Sequence, residues 1–154
     1  MRLFEIENTS PKAEVIGAMQ SWFEMWQPAK QVSIILNSPE AQNFTTATAS
    51  EIYRCVVVTR AGGVKNPTTT KQIVVYTVDM NNAHRFYHSL DISNDYLVVK
   101  KAFHSNDLIL NFSEYANSLD QSGGWDEHEL WMRPTSYYTT VDRSEIVYDS
   151  RKDK

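Results

Sequence analysis

Residues 51–59 have the sequence EIYRCVVVT, a run dominated by β-branched and aromatic residues. This composition favours an extended strand, because branched side chains pack well on a pleated surface. The same character appears in residues 71–78, KQIVVYTV, and again in residues 96–103. Shorter segments of this kind follow at 127–133 and 144–148. The middle and the end of the chain are therefore predicted to consist mostly of strands.

Helical periodicity marks the N-terminal part of the chain. Ser10 is a suitable helix cap, Pro11 suits the first helical position, and Pro28 ends the segment. The apolar residues between them recur at helical spacing, and they are Val15, Ile16, Met19, Trp22, Phe23 and Trp26. A helix with such a stripe has to bury it, so we expect these side chains in the core.

Other local signals are shorter. Ser38-Pro39-Glu40 predicts a helix start, and the small polar residues 45–50 predict a loop. Asp79 is a good cap for a helix that follows the second strand, and residues 112–119 are predicted to be helical. The apolar run at 32–36 fits either a helix or a strand. An N-terminal helical part followed mostly by strands indicates the α+β class.

Composition limits the classes of protein that the chain represents. Its 154 residues, 42% of them hydrophobic, predict one domain over residues 1–154. The net charge of −4 argues against nonspecific binding to nucleic acid and leaves a local basic groove possible. No apolar stretch reaches the roughly 18 residues that span a bilayer. The charged N-terminus and the single cysteine, Cys55, predict a cytoplasmic protein in a reducing compartment.

An arginine, Arg54, interrupts the apolar strand at 51–59. Arginine is rarely buried unless it is paired, and its planar fork matches a phosphate or a carboxylate with two hydrogen bonds. Arg54 is therefore a candidate anion ligand. Taken alone, Arg54 is better explained by a salt bridge to a nearby glutamate or by a solvated position on an edge strand.

A second candidate lies where the next strand ends. Thr77 is followed by Asp79 and by a segment with helical spacing that includes Ala83 and Phe86. Places where a strand leads into a helix often bind ligands. The alternative is a threonine that only satisfies its preference for strands, next to an aspartate that only caps a helix.

The third candidate is the segment GGWDEHELWM at residues 123–132. Side chains alternate along a strand, so Glu127, Glu129 and Trp131 are predicted to share one face. Two carboxylates on one face repel each other, which is a reason to suspect a functional site. A solvated strand face carrying two glutamates is the plain alternative.

Metal binding is not predicted. His84 and His88 are four residues apart on a predicted helix, but no third ligand has a convincing spacing. The sequence Gly62-Gly63-Val64-Lys65 lacks the spacing of a phosphate-binding loop.

Together the three candidate segments resemble the ADP-ribosyltransferase superfamily of the Arg–Ser/Thr–Glu type, which includes toxins and phage-encoded enzymes. Tyr53-Arg54 resembles its first core strand, Thr77-Val78-Asp79 its second motif, and Glu127-His128-Glu129 its Glu-x-Glu strand. The resemblance covers about residues 50–149. It implies two packed antiparallel sheets with N-terminal helices, and a cleft between the sheets that binds NAD⁺.

The resemblance also implies a role for each residue in mono-ADP-ribosyl transfer to a protein side chain. Arg54 would contact the phosphates, Thr77 would orient the site, and Glu129 would stabilise the positive charge on the ribose. Glu127 would receive the acceptor, with arginine favoured as the modified residue.

Two aromatic residues complete the implied site. Trp125 would contact the acceptor, and Phe86 would stack on nicotinamide if it does not belong to the core. By analogy with phage-encoded members of this family, the cytoplasm would be that of a host cell.

One position departs from the family pattern. The second motif often has two hydroxyl residues one position apart, and here Val75 occupies the first of these positions. A catalytically silent binding module of the same fold is therefore an alternative. An NAD⁺ glycohydrolase, which uses water as the acceptor, is another, and a transferase acting on nucleic acid is disfavoured by the acidic charge.

Overall fold

The fold was obtained as a computed structural model, which describes residues 14–15, 29–59, 61–63, 72–84, 95–119 and 128–153. Over these residues six strands form one antiparallel sheet in the order β4-β5-β2-β1-β3-β6. The strands are β1 Glu51–Val57, β2 Val74–Thr77, β3 Tyr96–Ala102, β4 Leu108–Leu110, β5 Glu129–Met132 and β6 Ile146–Asp149. The predicted α+β class is confirmed, and the described strands form one sheet where two were expected.

Helices and 3₁₀ segments surround the sheet. Three helices have their bounds within the described residues, α1 Ala29–Leu36, α2 Phe112–Leu119 and α3 Ser136–Thr139, and residues 14–15 and 80–84 are helical as well. The 3₁₀ segments are Pro39–Phe44, Ser105–Asp107, Arg143–Glu145 and Ser150–Asp153. None of the helices in the described ranges is long and apolar enough to cross a membrane.

The sheet has a junction in its middle. β1 pairs with β3 at seven positions, and β2 pairs with β5 at four. β1 and β2, by contrast, pair at one position over the described residues, Tyr53 with Thr77. The β4–β5–β2 half and the β1–β3–β6 half are therefore each continuous, and they are joined at a single residue pair.

The two outermost ladders are irregular. The β3–β6 ladder shifts its register between Val98 and Val99, and the β4–β5 ladder shifts between Leu108 and Leu110. Each shift leaves one residue of the edge strand without a register partner, Val147 in β6 and Ile109 in β4, and such an extra residue bends its strand locally.

Both faces of the sheet are covered, because alternating residues of the same strands enter two different clusters. The first core contains Trp131 of β5 and the α2 residues Phe112, Tyr115 and Ala116, whose spacing puts them on one helix side. The second core contains the alternate residues Tyr76, Leu130 and Met132, together with Ile52, Val74, Leu108 and Tyr138. Strand β5 is buried at all four positions for this reason.

Some helices and loops lie where the sequence predicts them. The helix at 112–119 and the loop at 45–50 are confirmed, and the run at 32–36 lies in helix α1. The helix start at Ser38-Pro39-Glu40 is a 3₁₀ segment. Of the predicted N-terminal helix, the structure describes Glu14 and Val15, which are helical, and Val15 is buried in the first core. The rest of that stripe lies outside the described residues.

The prediction of a strand over 127–133 was wrong at its start. β5 begins at Glu129, because His128 has a φ angle of 49°, in the left-handed region that strands do not use. Strict alternation therefore cannot be extended from Glu129 back to Glu127, which itself lies outside the described residues.

Candidate functional site

Thr77 and Glu129 are brought together by the pairing of β2 with β5. They are register partners, so their side chains project from the same face of the sheet. Thr77 is in turn the partner of Tyr53 across the junction with β1. The candidate site therefore lies at the one position where the two halves of the sheet meet.

The Glu129 carboxylate is almost completely buried, with 4% of the residue exposed. The indole nitrogen Nε1 of Trp131 donates a hydrogen bond of 2.7 Å to its Oε2 atom. The backbone N–H of Glu129 donates to the Ser113 hydroxyl at 2.8 Å, which ties the start of β5 to helix α2. Trp131 therefore fixes the carboxylate of Glu129, and Ser113 fixes its backbone.

The Thr77 hydroxyl shapes the end of strand β2. It accepts a hydrogen bond of 3.2 Å from the backbone N–H of Asp79. The Asp79 carboxylate accepts in turn from the N–H of Asn81 at 2.9 Å and begins the helical residues 80–84. The predicted cap is confirmed, and Thr77 makes a local turn as well as facing Glu129.

His128, the residue before strand β5, is hydrogen-bonded to the same turn at the end of β2. Its carbonyl oxygen accepts a hydrogen bond of 3.2 Å from the N–H of Val78. Its positive φ is uncommon for a residue other than glycine, and such residues are enriched at functional sites. The backbone just before Glu129 is thereby held against the end of β2.

Arg54 does not share this face. It follows Tyr53, whose side chain is on the Thr77 side, so alternation points Arg54 to the opposite face. There burial lowers the pKa of the guanidinium, and the neighbouring Tyr76 partly offsets that shift. Within the described ranges no carboxylate lies at ion-pair distance from Arg54, so the alternative of a local salt bridge finds no partner among these residues.

Tyr76 and Cys55, the two titratable neighbours of Arg54, are held neutral by burial. Burial raises the pKa of the Cys55 thiol to about 12 and also raises the pKa of the Tyr76 hydroxyl. Tyr76 donates its hydroxyl proton to the Tyr138 carbonyl at 2.7 Å. Neither group is therefore available as a nucleophile or base near neutral pH.

Val75, the position without the hydroxyl that the family motif often has, is the register partner of Trp131. It packs against the first core. An apolar residue is appropriate there, because a hydroxyl would have to find a hydrogen-bond partner inside that core.

The remaining predicted site residues, Glu127, Trp125 and Phe86, lie outside the described residues. Sequence reasoning placed Trp131 on the Glu129 face but missed its bond to the carboxylate, although the two-residue spacing was visible. It also missed Ser113, since nothing local in the sequence links that helix residue to β5. Among the described residues, no three His, Cys, Asp or Glu side chains are grouped so that they could hold a metal ion.

Comparison with known proteins yields no relative: no protein-family model, no curated protein and no solved structure matches the chain.

Proposed function

We propose that the protein is an NAD-dependent mono-ADP-ribosyltransferase that modifies a protein side chain, with arginine as the favoured acceptor. The observation that supports it most is the register pairing of Thr77 with Glu129 at the junction of the two half-sheets. These are the two residues to which the family resemblance assigns the orientation of the site and the stabilisation of the ribose cation. They are far apart in the sequence and become neighbours on one face.

The chemistry needs a carboxylate in a dry environment. The bond between nicotinamide and ribose breaks through an oxocarbenium-like state, in which positive charge develops on the sugar. A buried carboxylate stabilises such a charge more strongly than a solvated one, because the local dielectric is lower. Glu129, held by the Trp131 indole, is already oriented and so would not have to reorganise during the reaction.

The sheet junction gives the proposal a place for NAD⁺. The two expected sheets would correspond to the β4–β5–β2 and β1–β3–β6 halves, which share a single pair of residues. Away from this pair the structure shows no further register partners between β1 and β2 among the described residues, which leaves room for the strands to separate around a ligand. A cleft between them would place a bound ligand next to Thr77 and Glu129.

Arg54 would act from the opposite face of strand β1. The family resemblance assigns it to the phosphates, yet alternation along β1 points it away from Thr77 and Glu129. Its availability supports the assignment, because no described carboxylate neutralises it. To serve the same NAD⁺ molecule, Arg54 would have to reach the phosphates from the other side of the junction.

A catalytically silent binding module of the same fold is the second candidate. Two observations favour it: the Glu129 carboxylate is engaged by Trp131, and Val75 is a packing residue. A silent module would have no turnover and would retain Glu129 for stability only.

Incubation with labelled NAD⁺ and a cell lysate tests the proposal. Label on a protein indicates transfer, free ADP-ribose indicates the glycohydrolase alternative, and no turnover indicates the silent module. Glu129→Gln should reduce nicotinamide release by about 100- to 1000-fold, since the charge is lost while the shape is kept. Glu127→Gln should lose transfer and keep much of the hydrolysis.

Glu40→Gln is the matched control, because Glu40 is an exposed carboxylate in a 3₁₀ segment. It should release nicotinamide at the parental rate. Because Glu129 is buried, the free energy of unfolding of each variant has to be measured alongside. A folded Glu129→Gln variant with unchanged nicotinamide release would overturn the proposal.

A further inference from the structure

A cleft lies at the edge of the sheet, beside strand β6 and between the 3₁₀ segments Arg143–Glu145 and Ser150–Asp153. Its volume is about 340 Å³, and it is lined by Arg143, Ile146, Asp149, Arg151 and Lys152. Four strand spacings separate β6 from β5 in the sheet order, which is about 19 Å along the sheet. The cleft is therefore distinct from the site around Glu129.

The cleft is cationic in a chain whose net charge is −4. Three of its five lining residues carry a positive charge and one carries a negative charge. The single carboxylate, Asp149, is already engaged by Arg151, whose Nε and Nη2 atoms donate to it at 2.9 and 2.8 Å. The backbone N–H of Arg151 donates to it as well, at 3.0 Å.

Arg143 and Lys152 are the basic lining residues that make no hydrogen bond to Asp149 among the described residues, since the bonds that Asp149 accepts from the basic residues there come from Arg151. In the part of the chain that the structure describes, neither side chain forms an ion pair. Lys152 acts on Asp149 only through space: the Arg151 hydrogen bonds are the main reason that the pKa of Asp149 is lowered, and the Lys152 charge adds to it. Two like charges on one cleft repel each other, and a bound anion would relieve that repulsion.

We infer that this cleft binds the phosphate group of a small phosphate ester. A guanidinium supplies two parallel donors that match phosphate oxygens, and a lysine adds a compact charge. Ile146 and the aliphatic stems of the basic side chains provide an apolar wall for the rest of the ligand. The volume is at the lower end of that of small-molecule sites, roughly 300–1000 Å³, so the ligand is small.

The inference does not depend on the proposed transferase activity. Arg143, Arg151 and Lys152 are exposed side chains on 3₁₀ segments, and none of them takes part in the arrangement of Thr77 and Glu129. Loss of phosphate binding and loss of nicotinamide release are therefore separate outcomes, measured on separate variants.

Two-dimensional NMR titration of the full chain with inorganic phosphate is the direct test, at pH 7.5 and at constant ionic strength maintained with sodium chloride. Saturable shifts of the amide signals from residues 143–152 are expected. Arg143→Gln and Lys152→Gln should each weaken the affinity about fivefold, the size that one exposed charge pair provides. Lowering the pH to 5.5 should also weaken it, because inorganic phosphate is then almost entirely the monoanion and is attracted less strongly to the cationic cleft.

Lys30→Gln is the matched control, since Lys30 is an exposed cation on helix α1, which packs on the first core. It removes the same charge and should change the affinity by less than about 1.5-fold. Equal weakening by the control, or shifts that never saturate, would mean that phosphate responds only to overall charge, and would overturn the inference.

Ribose 5-phosphate and a phosphoserine peptide then identify the source of the phosphate group. Tighter binding of ribose 5-phosphate than of inorganic phosphate indicates a small metabolite, as inferred. If the phosphopeptide binds more tightly and its unphosphorylated form does not bind, the cleft is still a phosphate site. The assignment of its ligand as a small phosphate ester would then be wrong.

Discussion

The two halves of the sheet differ in the number of charged side chains they contain and in the groups that neutralise them. In the β4–β5–β2 half, strand β5 is buried at all four positions and its only charged residue, Glu129, is held by a neutral indole donor. In the β1–β3–β6 half, the buried Lys101 is neutralised by Glu145, Arg54 has no described counter-charge, and the edge strand borders a cationic cleft. One half is therefore stabilised by packing around a single carboxylate, and the other depends on the balance of several charges.

Removing the largest side chain of the first core should have the largest effect. Trp131 is fully buried, stacks on Phe112 with ring centroids 4.8 Å apart, and donates to Glu129. Trp131→Ala should lower the free energy of unfolding by about 3–5 kcal/mol, measured by urea denaturation. It removes both a packing contact and a hydrogen-bond donor to a buried carboxylate.

Val147→Ala provides the comparison in the other half. Val147 lies on β6 and is 40% exposed, so its truncation should change the free energy of unfolding by less than about 0.5 kcal/mol. If the two truncations cost the same, the contrast in packing between the halves is wrong.

The charge balance of the β1–β3–β6 half predicts a smaller and asymmetric effect. The Lys101 side chain is 1% exposed, its partner Glu145 is 21% exposed, and the Tyr137 ring lies 4.8 Å from the Lys101 nitrogen. Glu145→Gln leaves a buried ammonium without its counter-charge and should cost about 3 kcal/mol. Lys101→Met leaves a carboxylate that water can reach, and should cost about 1 kcal/mol.

Denaturation of both variants at pH 7 measures this difference. Equal losses would show that the pair acts as an exposed salt bridge, in which neither partner depends on the other.

Cys55 predicts the smallest effect, at alkaline pH. Burial raises its pKa to about 12 from an ordinary value of 9.0, so the folded thiol stays protonated where the unfolded thiol ionises. Its contribution to stability is complete below pH 9 and is lost as the pH rises toward 12. At pH 9, iodoacetamide should alkylate the urea-unfolded chain rapidly and the native chain slowly, as followed by mass spectrometry. Fast native alkylation would mean that strand β1 opens readily.

Local signals were sufficient for several elements. Helix α2 lies at the predicted residues, because Phe112, Tyr115 and Ala116 make one apolar side at helical spacing. Strand β1 was also predicted almost to its observed bounds, since its β-branched run requires no distant partner to be recognised.

The register between the strands could not be predicted from the sequence. Which residue of β1 faces Thr77 decides whether Arg54 or Tyr53 joins Glu129, and a shift of one residue exchanges the two faces. That choice depends on contacts between strands more than 20 residues apart in the sequence. The left-handed backbone of His128 was equally hidden, because nothing in Glu127-His128-Glu129 marks a break in the strand.

The irregular outer ladders have a consequence for solubility. An edge strand with regular, unpaired backbone groups is a template on which another chain can add, and this is a common route to aggregation. Here β4 is three residues long, β6 is flanked by exposed Arg143 and Lys152, and both ladders that hold these edge strands are out of step by a residue. At the edges of the described sheet an added strand would meet a short, irregular strand at β4 and an irregular strand flanked by positive charges at β6, and these features oppose its pairing.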